Sequence, residues 1–255
     1  MNNMHNLFDL NGHVALVTGG NGGLGLAMAK GLAKAGAQIA VWGRNEAKNA
    51  EAVAELVAMG GHAQSFEADV TDPASTAAAF DRTINAFGKI DSCFANAGGA
   101  GARGSFADMD RQAWLDTNEL NILSVIDTFQ LATRHWQNRK AGGKLIFTSS
   151  VAALLGLPNS AGYCLTKSAV TGLVRSLAIE LGRSGIQVNA ILPGFIETEM
   201  SLNTPKAFQD GCRRRAASGK IGQLSDMEGI AVYLASQQSN FMTGQALVLD
   251  GGHSI

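Results

Sequence analysis

Seven short runs of apolar and β-branched residues recur along the chain, separated by longer stretches whose apolar positions keep a helical period. The runs are "HVALVTG" (13–19), "AQIAVWG" (37–43), "AQSFEAD" (63–69), "IDSCFANAG" (90–98), "GKLIFTSS" (143–150), "IQVNAILPG" (186–194) and "ALVLDGG" (246–252). Several are apolar almost throughout, the pattern of strands buried on both faces of a parallel sheet. After the first run, Leu24, Ala27, Met28, Gly31, Leu32 and Ala35 occupy the i, i+3, i+4, i+7, i+8 and i+11 positions of one buried helix face. Val170, Leu173, Val174, Leu177 and Leu181 repeat the pattern after the fifth run. This alternation predicts an α/β fold, a doubly wound seven-stranded parallel sheet with helices on both faces. No linker, repeat or low-complexity segment divides it, so residues 1–255 are expected to form one domain.

Chemistry-bearing residues gather at the predicted C-terminal strand ends, the edge where open α/β sheets bind ligands. "TGGNGGLG" (18–25) joins the first strand to the first helix. Its spacing, Gly19-xxx-Gly23-x-Gly25, lets the backbone turn sharply and approach a pyrophosphate, while the helix N-terminus offers free N–H groups to the anion. The second strand ends "VWGRN", with no acid to accept from an adenosine ribose 2′-hydroxyl and with Arg44 placed to pair with a 2′-phosphate. That favours NADP over NAD. Asp69-Val70 and "ANAG" (95–98) close the third and fourth strands. Ser150 ends the fifth, thirteen residues before Tyr163, one of only two tyrosines in the chain. Lys167 follows one helical turn later, so phenol and ammonium share a face.

Composition narrows the classes. With 46% apolar and 16% charged residues the chain can build a large core, and 31 glycines against 4 prolines suggest tight turns rather than disorder. A net charge of −1 gives no footprint for nucleic acid or a membrane surface. The start, "MNNMHNLFDLNGH", has no basic stretch followed by an apolar one, and no apolar run approaches the roughly 18 residues of a membrane span. Three scattered cysteines and five dispersed histidines suit a reduced cytoplasmic protein without a metal.

Together these elements resemble the short-chain dehydrogenase/reductase family. The matching residues are "TGGNGGLG", Asp69-Val70, "NAG" at 96–98, Asn121, Ser150, "YCLTK" and "PGFIET" (193–198), in the family's order across nearly the whole chain. The resemblance implies a Rossmann-type fold and a hydride transfer between a nicotinamide cofactor and a secondary alcohol or ketone. Tyr163 would be the general acid/base, Ser150 would hold the substrate oxygen, and Asn121 would keep a water in the proton path, with Asn118 its competitor. Lys167 would lower the phenol pKa from near 10 and bond the nicotinamide ribose. Cofactor contacts would come from Gly19, Asn21, Gly23, Leu24, Gly25, Arg44, Asp69, Val70, Asn96, Ala97, Gly98, Tyr163, Lys167, Pro193, Gly194, Ile196 and Thr198. The glycine loop lacks the arginine that many NADP-preferring relatives carry at Asn21 or Gly22, which leaves Arg44 as the support for NADP over NAD.

The substrate segments read "GAGARGSF", "VAALLGLPNS" and "EMSLNTPKAFQDGCRRR". Leu154, Leu155 and Leu157 suit a partly apolar alcohol or ketone, whereas Arg103, or Arg213 to Arg215, could greet a carboxylate or phosphate. Two readings within the family compete, a sugar-acid or secondary-alcohol dehydrogenase and a 3-oxoacyl thioester reductase. A third, of another class, is a dinucleotide-binding sensor or scaffold without catalysis. The family's habit implies a homotetramer.

Overall fold

The computed structural model describes residues 7–255; the first six residues of the N-terminal segment read above lie outside it. Seven parallel strands form one sheet in the order β3-β2-β1-β4-β5-β6-β7. They are Val14–Thr18 (β1), Gln38–Gly43 (β2), His62–Glu67 (β3), Ser92–Ala95 (β4), Gly143–Thr148 (β5), Ile186–Pro193 (β6) and Ala246–Leu249 (β7). The helices between them are Gly23–Lys34 (α1), Glu46–Ala58 (α2), Pro73–Phe87 (α3), Arg111–Asn118 (α4), Ser124–Arg139 (α5) and Ala161–Leu181 (α6). Glu199–Leu202 (α7), Lys206–Arg215 (α8) and Asp226–Ala235 (α9) follow β6.

The apolar runs explain the layers. All five residues of β1 and all four of β4 are buried, and each sheet face carries its own core. On one face Phe129, Trp136, Val170 and Val174 of α5 and α6 pack on Leu16, Cys93, Leu145 and Val188. On the other, Met28, Leu32, Met227 and Leu234 of α1 and α9 pack on Val17, Ile39, Phe94 and Ile191. Burying such side chains contributes roughly 1.5–3 kcal/mol each. The edge strands depart from the two-sided pattern. β3 buries only Ala63 and Phe66, and Val248 of β7 remains 43% exposed, because an edge strand has a neighbour on one side only.

Several strands stop short of their apolar runs, each for a local reason. β4 ends at Ala95 because the next two backbone N–H groups leave the ladder and donate to the Thr18 hydroxyl, at 3.0 Å each. β5 ends at Thr148, and Ser150 caps a short 3₁₀ turn instead, its hydroxyl accepting from the Ala152 N–H at 3.1 Å. β7 ends at Leu249, where the Asp250 carboxylate accepts from the following turn. Strand order reverses between β1 and β4, which opens a crevice at their C-terminal ends.

Candidate active site

At that reversal lies a cavity of about 620 Å³, walled by the loops after β1, β2, β4, β5 and β6. A bound dinucleotide needs close backbone approach at the first loop, and the residues there fit one. Gly19 has φ 62°, and a Cβ on it would stand 3.1 Å from Ala97 Cα. A Cβ on Gly25 would strike the Gly19 carbonyl, so that glycine lets α1 begin tight against the loop. The N-cap of α1, Gly22, supplies no side-chain acceptor and no acid occupies the first turn, leaving the helix N–H groups for an anion. Asn96 ties this loop to β4, its Nδ2 donating to the carbonyls of Thr18 at 3.2 Å and Gly19 at 3.3 Å.

Ser150, Tyr163 and Lys167 all reach the same cavity. Tyr163 and Lys167 lie in the first two turns of α6, as their spacing predicts. The Lys167 ammonium is buried, donates to the Thr148 carbonyl at 2.9 Å and sits 4.8 Å from the Phe147 ring centroid. Burial holds its pKa down to about 8. Burial also raises the Tyr163 phenol, while the hydrogen bond from Ser150 and the charge of Arg103 pull it down. The phenol therefore stands above its ordinary value, and the cation that pulls it down is Arg103. Desolvation penalises phenolate and ammonium alike.

Asn121 sits behind the cavity wall, not on it. Glu119–Leu123 forms a π-helical turn between α4 and α5, a local widening common at functional sites. It turns the buried Asn121 amide toward Gly99, whose N–H donates to Oδ1 at 3.0 Å and whose carbonyl accepts from Nδ2 at 3.0 Å. A third contact runs from Nδ2 to the Thr166 hydroxyl at 3.3 Å. A Cβ built on Gly98 would lie 3.0 Å from Asn121 Oδ1 and 3.6 Å from Lys167 Nζ, so "NAG", Asn121 and Lys167 converge. Asn118 keeps a buried Oδ1 without a hydrogen-bond partner and does not line the cavity.

Most predicted cofactor residues line the wall: Gly19, Asn21, Gly23, Leu24, Arg44, Val70, Asn96, Ala97, Gly98, Gly194, Ile196 and Thr198. Gly25, Asp69 and Pro193 do not. Asp69 turns to Thr71, accepting from its N–H at 3.0 Å and its hydroxyl at 2.7 Å, and Pro193 is the last residue of β6. Arg44 is exposed, 3.9 Å from the Asp69 carboxylate, a pairing of little energetic weight. The sequence reading missed Lys48, one helical turn beyond Arg44 at the same end of the cavity. Phe208 and Cys212 fall within the third substrate segment without being singled out there, and His253 lies outside all three.

Comparison with known proteins agrees with this geometry. The family described as enoyl-(acyl carrier protein) reductase matches residues 19–254. Gluconate 5-dehydrogenase of Gluconobacter oxydans (strain 621H) is 37% identical over 98% of this chain and 97% of its own. The 5-keto-D-gluconate 5-reductase of Escherichia coli (strain K12) is 36% identical over 98% of both chains. A 7α-hydroxysteroid dehydrogenase, solved with NADH and 7-oxo glycochenodeoxycholic acid, superposes with a TM-score of 0.92 at 30% identity, covering 96% of each chain. The chain belongs to the short-chain dehydrogenase/reductase family. It is an NAD(P)-dependent oxidoreductase that transfers a hydride between nicotinamide and a secondary alcohol or ketone. These relatives do not favour the 3-oxoacyl thioester reductase reading. Among the described residues no helix is long and apolar enough to cross a membrane, and no group of three or more potential metal ligands occurs.

Proposed function

We propose that this enzyme interconverts a sugar acid and its keto form, with NADP preferred over NAD and Tyr163 as the proton donor and acceptor. The observation that carries the substrate class is Arg103, which lines the cavity and whose charge acts on the Tyr163 phenol. A cation within electrostatic reach of the reacting hydroxyl suits an anionic substrate. The gluconate relatives support the same class.

When bound, the nicotinamide supplies or removes the hydride. The chain's own groups do the rest. Ser150 holds the substrate oxygen beside the phenol. Tyr163 gives its proton to the carbonyl in reduction and takes the alcohol proton in oxidation. Lys167, anchored on Thr148, holds the ribose and balances charge at the phenol. Asn121 braces the loop after β4 from behind, and through that loop keeps a water in the proton path. Asn21, Leu24, Val70, Asn96 to Gly98, Ile196 and Thr198 form the cofactor walls, while Gly25, Asp69 and Pro193 shape them from behind.

The NADP preference rests on Arg44, with Lys48 as a second cation at that end. Lys48 lies 3.7 Å from the Glu199 carboxylate, and this loose exposed pair can yield to a phosphate. Exposed Leu115, Leu123, Leu165 and Ile179 around α4 to α6, and Phe241 and Ile255 near β7, support the homotetramer. Light scattering tests it, and a monomer mass would remove it. One catalytic domain acting in the cytoplasm completes the reading.

The deciding assay follows nicotinamide absorbance with gluconate and 5-ketogluconate, with NADP and NAD separately. Turnover lost on Tyr163→Phe supports the proton role. Turnover of neutral ketones alone would reject the sugar-acid class.

A further inference from the structure

The last residues of the chain do not run off the sheet edge. After β7 two glycines in succession take left-handed conformations, Gly251 at φ 62° and Gly252 at φ 81°. A side chain at Gly252 would also meet Ala217 Cβ at 2.7 Å. The chain therefore turns back over the end of α8, and hydrogen bonds within the turn and to Arg215 and Ser218 fix it there. Asp250 accepts from the Gly252 N–H and the Ser254 N–H, at 2.8 Å each. The Ser218 N–H donates to the Gly251 carbonyl at 2.9 Å. Arg215 Nε donates to the His253 carbonyl at 3.1 Å. Burial opposes the Asp250 carboxylate, yet the hydrogen bonds from Ser254, Gly252 and His253 hold it below its ordinary pKa.

This hook carries His253 into the wall of the catalytic cavity. Its backbone is fully committed to the hook, while no hydrogen bond of the described residues engages its imidazole in this structure. Close by in the chain's fold, α8 contributes Phe208 and Cys212 to the same wall, and Phe208 stacks edge-on with Phe195 at 5.7 Å. Those neighbours are apolar or weakly polar. His253, presented on a fixed turn in the same wall, offers a ligand an imidazole without a hydrogen-bond partner among the described residues.

We propose that His253 is a substrate-binding residue, hydrogen-bonding an oxygen other than the one on the reacting carbon and so selecting substrates with a second hydroxyl or carboxylate. The inference rests on the reading of this cavity as the hydride-transfer site. It makes the C-terminal hook part of the specificity apparatus. A ketone bearing one oxygen would leave the imidazole without a partner in the cavity wall, and discrimination would follow from that loss.

The test compares kcat/KM for two carbonyl substrates, 5-ketogluconate and cyclohexanone, in the wild type, His253→Leu and His253→Asn. The expected result is a roughly tenfold fall in the 5-ketogluconate to cyclohexanone ratio for His253→Leu, carried by KM, as one lost hydrogen bond implies. His253→Asn, which keeps a donor and an acceptor, should recover most of the ratio. An unchanged ratio in His253→Leu overturns the proposal, as does a wild type that does not favour 5-ketogluconate. Equal loss on both substrates, without rescue by asparagine, also overturns it and marks the hook as structural. Tyr163→Phe measured alongside separates the two levels, since full turnover in that variant would reject the site reading itself.

Discussion

The two ends of the cavity are built differently. The cofactor end is made of short loops that each leave one strand and meet at the reversal between β1 and β4. Its residues are close in sequence to the strands that position them, and backbone groups do much of the work. The substrate end draws Arg103, Leu157, Phe208 and His253 from segments separated by up to 150 residues, none of them within a strand. One end can be shared across a family because its partner, a dinucleotide, does not change. The other varies because loops can be replaced without disturbing the sheet.

That contrast can be broken most forcefully where the ends meet. Tyr163→Phe removes one hydroxyl and should lower kcat by about 10²–10⁴, the range of a lost general acid, with the melting temperature nearly unchanged. Gly25→Ala attacks the cofactor end alone. Its Cβ would press on the Gly19 carbonyl and lie 2.6 Å from Asn96 Nδ2, so nucleotide affinity for NADPH and NADH should fall at least tenfold together, read by cofactor fluorescence. If the affinity survives, the backbone cradle does not hold the cofactor.

Arg103→Ala attacks the substrate end alone. It should raise KM for a sugar acid by roughly tenfold or more, the size of a charge-assisted hydrogen bond, with a smaller loss on neutral ketones and cofactor affinity unaffected. Arg44→Glu should weaken NADPH several-fold more than NADH, because it sets a carboxylate against the 2′-phosphate at an exposed position. Equal losses for the two cofactors would remove the stated preference.

The smallest effect is a slope. Burial raises the Tyr163 pKa above its ordinary value near 10, so the free enzyme holds the proton through the neutral range. Oxidation needs phenolate and reduction needs phenol. Accordingly kcat/KM for alcohol oxidation should climb as pH rises above neutral, whereas that for ketone reduction should stay level and fall only as the phenol itself titrates. Parallel profiles in the two directions would contradict the role of the phenol.

The legibility of the molecule follows the same division. β1, β2, β5 and β6 lie within a residue or two of their apolar runs, and α1 and α6 carry their buried faces where the periodicity puts them. The run at 90–98 misled at its end because Asn96 and Ala97 bond Thr18 across the sheet, a pairing that hydropathy cannot express. Lys48 was within reach of sequence reasoning, standing one turn after Arg44 behind the Asn45 cap. The burial of Tyr163 and Lys167, which moves each away from its ordinary pKa, was not.

By itself the chain determined its strands, helices and family motifs, because hydrophobic period, glycine geometry and the Tyr163–Lys167 spacing are local properties. Only the tertiary structure decided which phenol and ammonium were desolvated, and that Asn121 braces Gly99 instead of facing the cavity. It alone brought Arg103 and the hooked His253 to one wall. Desolvation and contact between distant segments depend on the packing of the whole molecule, which no single stretch of sequence contains.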